Sequence, residues 1–212
     1  MQPYQIGMSS TLLGVIQAGQ SGVDLMETLH KIAEKVALFE DFKRKGVPDH
    51  HLIFSLYSIV DKLMVDSGNG EKISCRKGCG FCCKMNVDVS PMEVAVILVY
   101  CSVNKIAINR DYLIAQASIP KERLGFTPSL STCVFLQADN TCSIYPVRPL
   151  ACRKYRVTSP AELCNAEKHP KAMLTVLTDI EAEILVSALD NIQHQQPDGL
   201  HKVLLQQLAR QN

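Results

Sequence analysis

The chain has 212 residues, 47% hydrophobic and 20% charged, the balance of a soluble globular protein long enough to bury a core. Its formal net charge of +1 supplies no global field for nucleic acid or an anionic membrane, so neither is expected as a partner. The longest apolar run, Val94 to Cys101, falls far short of the ~20 residues a spanning helix requires.

In chain order, residues 1–21 read as irregular. The stretch from Thr11 to Ile16 faintly resembles the apolar part of a signal peptide, but no Lys or Arg precedes Lys31. Without that positive segment the expectation is a cytoplasmic protein. From Asp24 to Phe42 the apolar residues Leu25, Leu29, Ile32, Val36, Leu38 and Phe39 recur with helical spacing. Gly46 to Pro48 interrupts them. A second helix is expected from Asp49 to about Val65, with Leu52, Ile53, Leu56, Ile59, Val60, Leu63 and Met64 on its buried face, stopped by Asp66 to Gly70. After a cysteine-rich loop, Ser90-Pro91-Met92-Glu93 has the pattern of a capping box and predicts a helix through Cys101, followed by another from Asn109 to Ser118.

Cys133 to Tyr145 reads as a short β-hairpin around Ala138-Asp139-Asn140. Ser159-Pro160-Ala161-Glu162 predicts a second capping box before a turn around Cys164, and helices are expected from about Pro170 to Gln193 and from Gly199 to Ala209. The fold class is therefore mainly α with a small β-hairpin, and a cysteine-rich centre packed among helices. Residues 1–70, 71–165 and 166–212 are expected to form one compact domain of three regions.

Nine cysteines need a reason in a reducing compartment. A disulfide framework requires an oxidising address and an even count, and the chain offers neither. Thiolates around a metal are the stronger reading, since cysteine is the soft ligand that zinc and iron–sulfur clusters favour. Four cysteines fall within residues 75–83. Cys75, Cys79 and Cys82 have the short spacing that lets sulfurs from one loop converge, and Gly78 and Gly80 give that loop backbone freedom. Cys133, Cys142, Cys152 and Cys164 follow at wider intervals and can be brought in only by the fold, so the eight thiols fit one site with spares or two sites.

Neighbouring side chains in an extended segment point to opposite faces, so Cys82 is expected to join Cys75 and Cys79 while Cys83 reaches toward the hairpin. Residues 66–90 and 131–165 read as poor in large apolar side chains, which predicts that coordination orders them. Cys101, inside an apolar helix, reads as a buried structural thiol. Seven cations flank the thiols: Arg76, Lys77, Lys84, Arg148, Arg153, Lys154 and Arg156. They would offset the negative charge of a tetrathiolate centre, or simply be solvated surface residues.

The spacing of Cys75, Cys79 and Cys82 equals the radical S-adenosylmethionine signature, but no strand–helix repetition accompanies it. His169 is the one histidine near a cysteine that could add a ligand, while His50 and His51 read as first-turn residues. No catalytic residue is identified, and no Walker loop or GxGxxG is present.

Cys75-x3-Cys79-x2-Cys82-Cys83, Ser90-Pro91-x-Glu93, Cys133-x-Phe135-Leu136 and Cys142-Ser143-Ile144-Tyr145-x-x-Arg148-Pro149-x-x-Cys152-Arg153 together resemble the YkgJ-like cysteine-cluster family. The resemblance spans roughly residues 71–165. It implies a zinc- or iron-chelating domain whose metal ligands are Cys75, Cys79, Cys82, Cys83, Cys133, Cys142 and Cys152, with Cys164 added. The family includes relatives of flagellin lysine N-methylase associated with an iron–sulfur centre. An iron–sulfur or zinc protein is therefore expected, with three readings of its role: a cluster protein, an S-adenosylmethionine-dependent methyl- or radical-transfer enzyme acting on a protein substrate, or a zinc-stabilised module that binds a protein partner. Arg148 and Arg153 are candidates to hold the cofactor or an anionic ligand, or to shape the turn before Cys152.

Overall fold

The computed structural model describes residues 7–17, 23–67, 73–119, 130–193 and 197–210. Among them are eight α-helices: α1 (Ser10–Gln17), α2 (Leu25–Arg44), α3 (Asp49–Asp66), α4 (Pro91–Val103), α5 (Arg110–Ala117), α6 (Leu150–Lys154), α7 (Ile180–Asn191) and α8 (Leu200–Arg210). Two antiparallel pairs of two-residue strands complete the regular structure. β1 (Asp88–Val89) pairs with β4 (Asp198–Gly199), and β2 (Arg156–Val157) with β3 (Val176–Leu177). The fold is mainly α with little strand.

Local chemistry explains most of the boundaries. Asp24 caps α2 by accepting from the Glu27 N–H at 2.7 Å, and Asn109 caps α5 in the same way through Tyr112. The capping box before α4 is complete: Ser90 Oγ accepts from Glu93 N, and the Glu93 carboxylate accepts from Ser90 N. Glu93 is fully buried and also accepts from Leu150 N at 2.7 Å, so this one side chain joins the starts of α4 and α6.

α2 packs on α7, and α3 on α6 and α4, while α8 covers α4 and α5. A single apolar cluster runs through these contacts and includes Ile32, Ile53, Met64, Ile97, Leu113, Phe135, Leu150, Ile184 and Leu204. It also takes in Leu12 from α1, a segment expected to be irregular. Leu12 and Val15 are buried, so the apolar run that faintly resembled a signal segment packs into this core instead.

Four further expectations change. On α3, Ile59 faces solvent and Tyr57 takes the buried position beside Leu56 and Val60. The helix expected from Pro170 begins only at Ile180, capped by Asp179, because Val176–Leu177 is instead a strand paired with β2. Around Pro160 no side-chain cap forms, and Ala161–Cys164 makes a 3₁₀ turn. The 133–145 hairpin is reduced to one antiparallel bridge, Leu136 with Cys142, supported by Gln137 N donating to Thr141 O at 2.8 Å and Ser143 N to Phe135 O at 2.9 Å. Asn140, with φ of 60°, turns the chain in the left-handed region that Asn tolerates.

Candidate metal centre

Three separated stretches meet where the cysteines lie. The first loop is tied to β2 at its start, where Ser74 N donates to Val157 O at 2.9 Å. Gly78 then takes φ of +81°, a conformation open to glycine without cost, and the Cys79 N–H closes the turn on Arg76 O. Gly80 serves differently from the expected backbone freedom. Its φ is −97°, but a Cβ there would lie 2.8 Å from Leu136 Cδ1 and 3.3 Å from Asn140 O. With no side chain at this position the loop seats closely against the hairpin, and a Cβ would require Leu136 and the Asn140 backbone to give way.

Cys133 N donates to Cys83 O at 2.6 Å, pinning the hairpin to the end of the loop. On the other side, Lys84 Nζ meets Glu167 at 2.8 Å and draws in the segment just past Cys164. Cys152 enters on α6, whose start is fixed by Glu93.

All nine cysteines are free thiols, and eight of them share this region. Cys75, Cys79 and Cys164 lie within electrostatic reach of one another. Cys133, Cys142 and Cys152 form a second group, together with Cys83. Cys82 reaches both groups. The opposite-facing arrangement expected of Cys82 and Cys83 is not what forms. Phe81–Lys84 is a 3₁₀ turn, not an extended segment, and the Cys83 thiol donates a hydrogen bond to the Cys82 sulfur.

That bond lowers the Cys82 pKa to about 7, and the same bond, together with burial, holds the proton on Cys83. Burial raises the thiols of Cys75, Cys142, Cys152 and Cys164 as well, and pushes Cys133 up to about 11. Any metal bound here must displace these protons, because the thiolate is the ligand. Among the described residues, no group of three or more His, Cys, Asp or Glu side chains is already set at metal-holding geometry. The donor chemistry nonetheless fits zinc or iron, since the converging side chains are almost all sulfur.

The flanking cations divide by partner. Arg148 Nη2 meets Asp61 at 3.0 Å and Arg156 Nη2 meets it at 3.3 Å, while Arg153 pairs with the other oxygen of the same carboxylate. Arg153 is nearly fully buried. It also donates to the carbonyls of Arg148 and Pro146 and lies over the Tyr57 ring at 4.0 Å. These bonds hold the turn before Cys152. Lys154 forms a buried pair with Glu183, both oxygens at 2.7 Å, which anchors α6 to α7. Arg76 and Lys77 are exposed.

Cys101 is buried in the apolar core on α4, where desolvation, with a further push from the nearby Cys142 thiol, raises its pKa to about 11. His169 is exposed in the turn after Cys164, and His50 and His51 lie in the first turn of α3. Asp61 was not singled out in the sequence. It is one acidic residue on an otherwise ordinary helix, and nothing local marks it as the meeting point of three arginines that lie about ninety residues further on.

Residues 74–174 match the model of the CxxCxxCC family, described as “Putative zinc- or iron-chelating domain”. That stretch is similar to a family of the kind its motifs resemble, and metal binding through the cysteines is supported. No curated protein and no solved structure matches the chain at a significant level.

Proposed function

We propose that this protein binds an iron–sulfur centre through its clustered thiolates. The observation that carries the reading is the gathering of eight cysteines from three stretches of chain around Cys82. One tetrahedral zinc needs four ligands, and a lone zinc knuckle would leave half of these thiols without a use. Cys75, Cys79 and Cys164 would hold one side of the centre, and Cys83, Cys133, Cys142 and Cys152 the other. Cys82 stands between them. Bound there, an iron–sulfur cluster would supply one-electron chemistry. The chain's own contribution is to gather the sulfurs, keep the two sides adjacent and surround them with cations. The zinc reading is favoured by the same family description, which names zinc beside iron.

The test is purification of the full chain without oxygen, followed by iron, zinc and acid-labile sulfide analysis and a visible spectrum. Iron and sulfide in comparable amounts, with visible absorbance lost in Cys142→Ser and retained in Cys101→Ser, is the expected result. Zinc without sulfide or colour would replace the cluster by a structural zinc site. A chain that holds neither metal after reconstitution overturns both readings.

A further inference from the structure

Three guanidiniums meet one carboxylate beside the thiols. Arg148, Arg153 and Arg156 all pair with Asp61, whose single negative charge leaves two of the three positive charges uncompensated by it. The side chains of Arg148, Arg153 and Arg156 are 14%, 4% and 17% exposed, so water does little to offset them. Part-buried surplus charge of one sign is costly unless something of the opposite sign lies near it. The thiols are near in the fold: Arg153 follows Cys152 on α6, Arg156 lies on β2 where Val157 O accepts from Ser74 N beside Cys75, and Arg148 donates to the carbonyl of Tyr145, whose own N–H is bonded to Cys142 O. Four thiolates around a divalent ion leave a double negative charge, as do four thiolates on an oxidised cubane, and this is opposite in sign to the charge on the knot.

We infer that the knot of Arg148, Arg153 and Arg156 gathered by Asp61 is the built-in counter-charge of the thiolate centre, with Asp61 as its positioning residue. The inference rests on the metal-binding reading above. It names the part of the chain outside the sulfur ligands that sets how tightly the centre is held. Asp61 binds all three arginines from the α3 side and so fixes their distance from the sulfurs. Arg153 is the most buried of the three and donates to two backbone carbonyls, whereas Arg148 and Arg156 each donate to one, so their charge can be changed with less disturbance of the turn. Arg148 also lies over the Tyr145 ring at 4.1 Å, an exposed contact that a lysine can partly replace.

The experiment strips the full-length chain of metal, reduces it and titrates it with cobalt(II), whose thiolate charge-transfer band reports sulfur ligation directly. Competition with zinc then gives the zinc affinity. Arg148→Gln and Arg156→Gln are each expected to weaken cobalt and zinc binding by about tenfold or more, the loss usual for an outer partner of a metal site. Arg148→Lys, which keeps the charge, is expected to bind nearly as the parent does. Far-UV circular dichroism establishes which variants are folded, and if one glutamine variant is not, the other decides. Parent-like binding in the folded glutamine variants overturns the inference. So does an Arg148→Lys as weak as Arg148→Gln, since shape and not charge would then be at work. A parent chain without any cobalt–thiolate band is a different result: it removes the metal-binding reading itself and this inference with it.

Discussion

Cys82 and Cys83 are neighbours in sequence but chemically unlike. Cys82 is exposed and accepts a hydrogen bond from the Cys83 thiol, which lowers its pKa to about 7. Cys83 is part-buried and keeps its proton. A thiol reacts as its thiolate, so in the reduced, metal-free chain Cys82 is expected to be alkylated fastest at neutral pH, its rate rising as pH passes through about 7 and levelling above it. Cys133 and Cys152, raised by burial, should react only at distinctly higher pH. Iodoacetamide labelling read by peptide mass spectrometry checks the order, with Cys83→Ser as a control that removes the thiol donor. Equal rates for Cys82 and Cys133 at pH 7 would mean that the paired geometry does not persist in solution. Here a residue's surroundings outweigh its place in the motif, because a 3₁₀ turn sets adjacent side chains about 120° apart where an extended strand would put them on opposite faces.

At the scale of elements, the cysteine loop and the hairpin are held together by close backbone approach. Gly80 is the tightest point: a methyl group on its Cα would lie 2.8 Å from Leu136 Cδ1 and 3.3 Å from Asn140 O. Gly80→Ala is expected to cost on the order of 1–3 kcal/mol by overpacking and to reduce metal content, since it pushes the loop off the hairpin that carries Cys133 and Cys142. Gly78→Ala differs: its nearest neighbour would be Asp139 O at 3.9 Å, and only the left-handed φ of +81° penalises it, by roughly 1–2 kcal/mol. Denaturant midpoints and metal content of the two variants separate clash from strain. If Gly80→Ala retains parental metal and stability, the loop is not seated as tightly as the geometry implies.

For the molecule as a whole, order does not come from one source. The cysteine loop, residues 73–85, contributes no large apolar side chain to the core, and residues 166–175 are largely exposed. The hairpin and α6 behave differently from the expectation that coordination orders all of 131–165. Phe135, Ile144, Val147 and Leu150 are each buried to 3% exposure or less and pack with α3 and α4 in the common core. Chelation is therefore expected to open the loop and spare the hairpin and α6. Limited trypsin digestion of metal-stripped protein should cut after Arg76, Lys77 and Lys84, which are exposed, while Arg153 and Lys154 stay protected by their buried ion pairs. Identical cleavage before and after chelation would show that metal does not order the loop.

What the sequence determined by itself was local. The caps at Asp24, Ser90 and Asn109 and the apolar spacing of α2, α3 and α4 depend on neighbours within a turn or two of helix, and all are present. The cysteine motifs likewise point to the metal-chelating kind of domain that residues 74–174 match. Long-range contacts decided the rest. Leu12 lies in a helix because α7 offers its segment a surface, and Val176–Leu177 is a strand because β2 pairs with it. The two sides of the thiol centre, the hydrogen bond between Cys82 and Cys83 and the meeting of three arginines at Asp61 join residues through geometry that spacing alone does not encode. Charges and sulfurs carry no periodicity of their own, so their partners become visible only once the helices are packed.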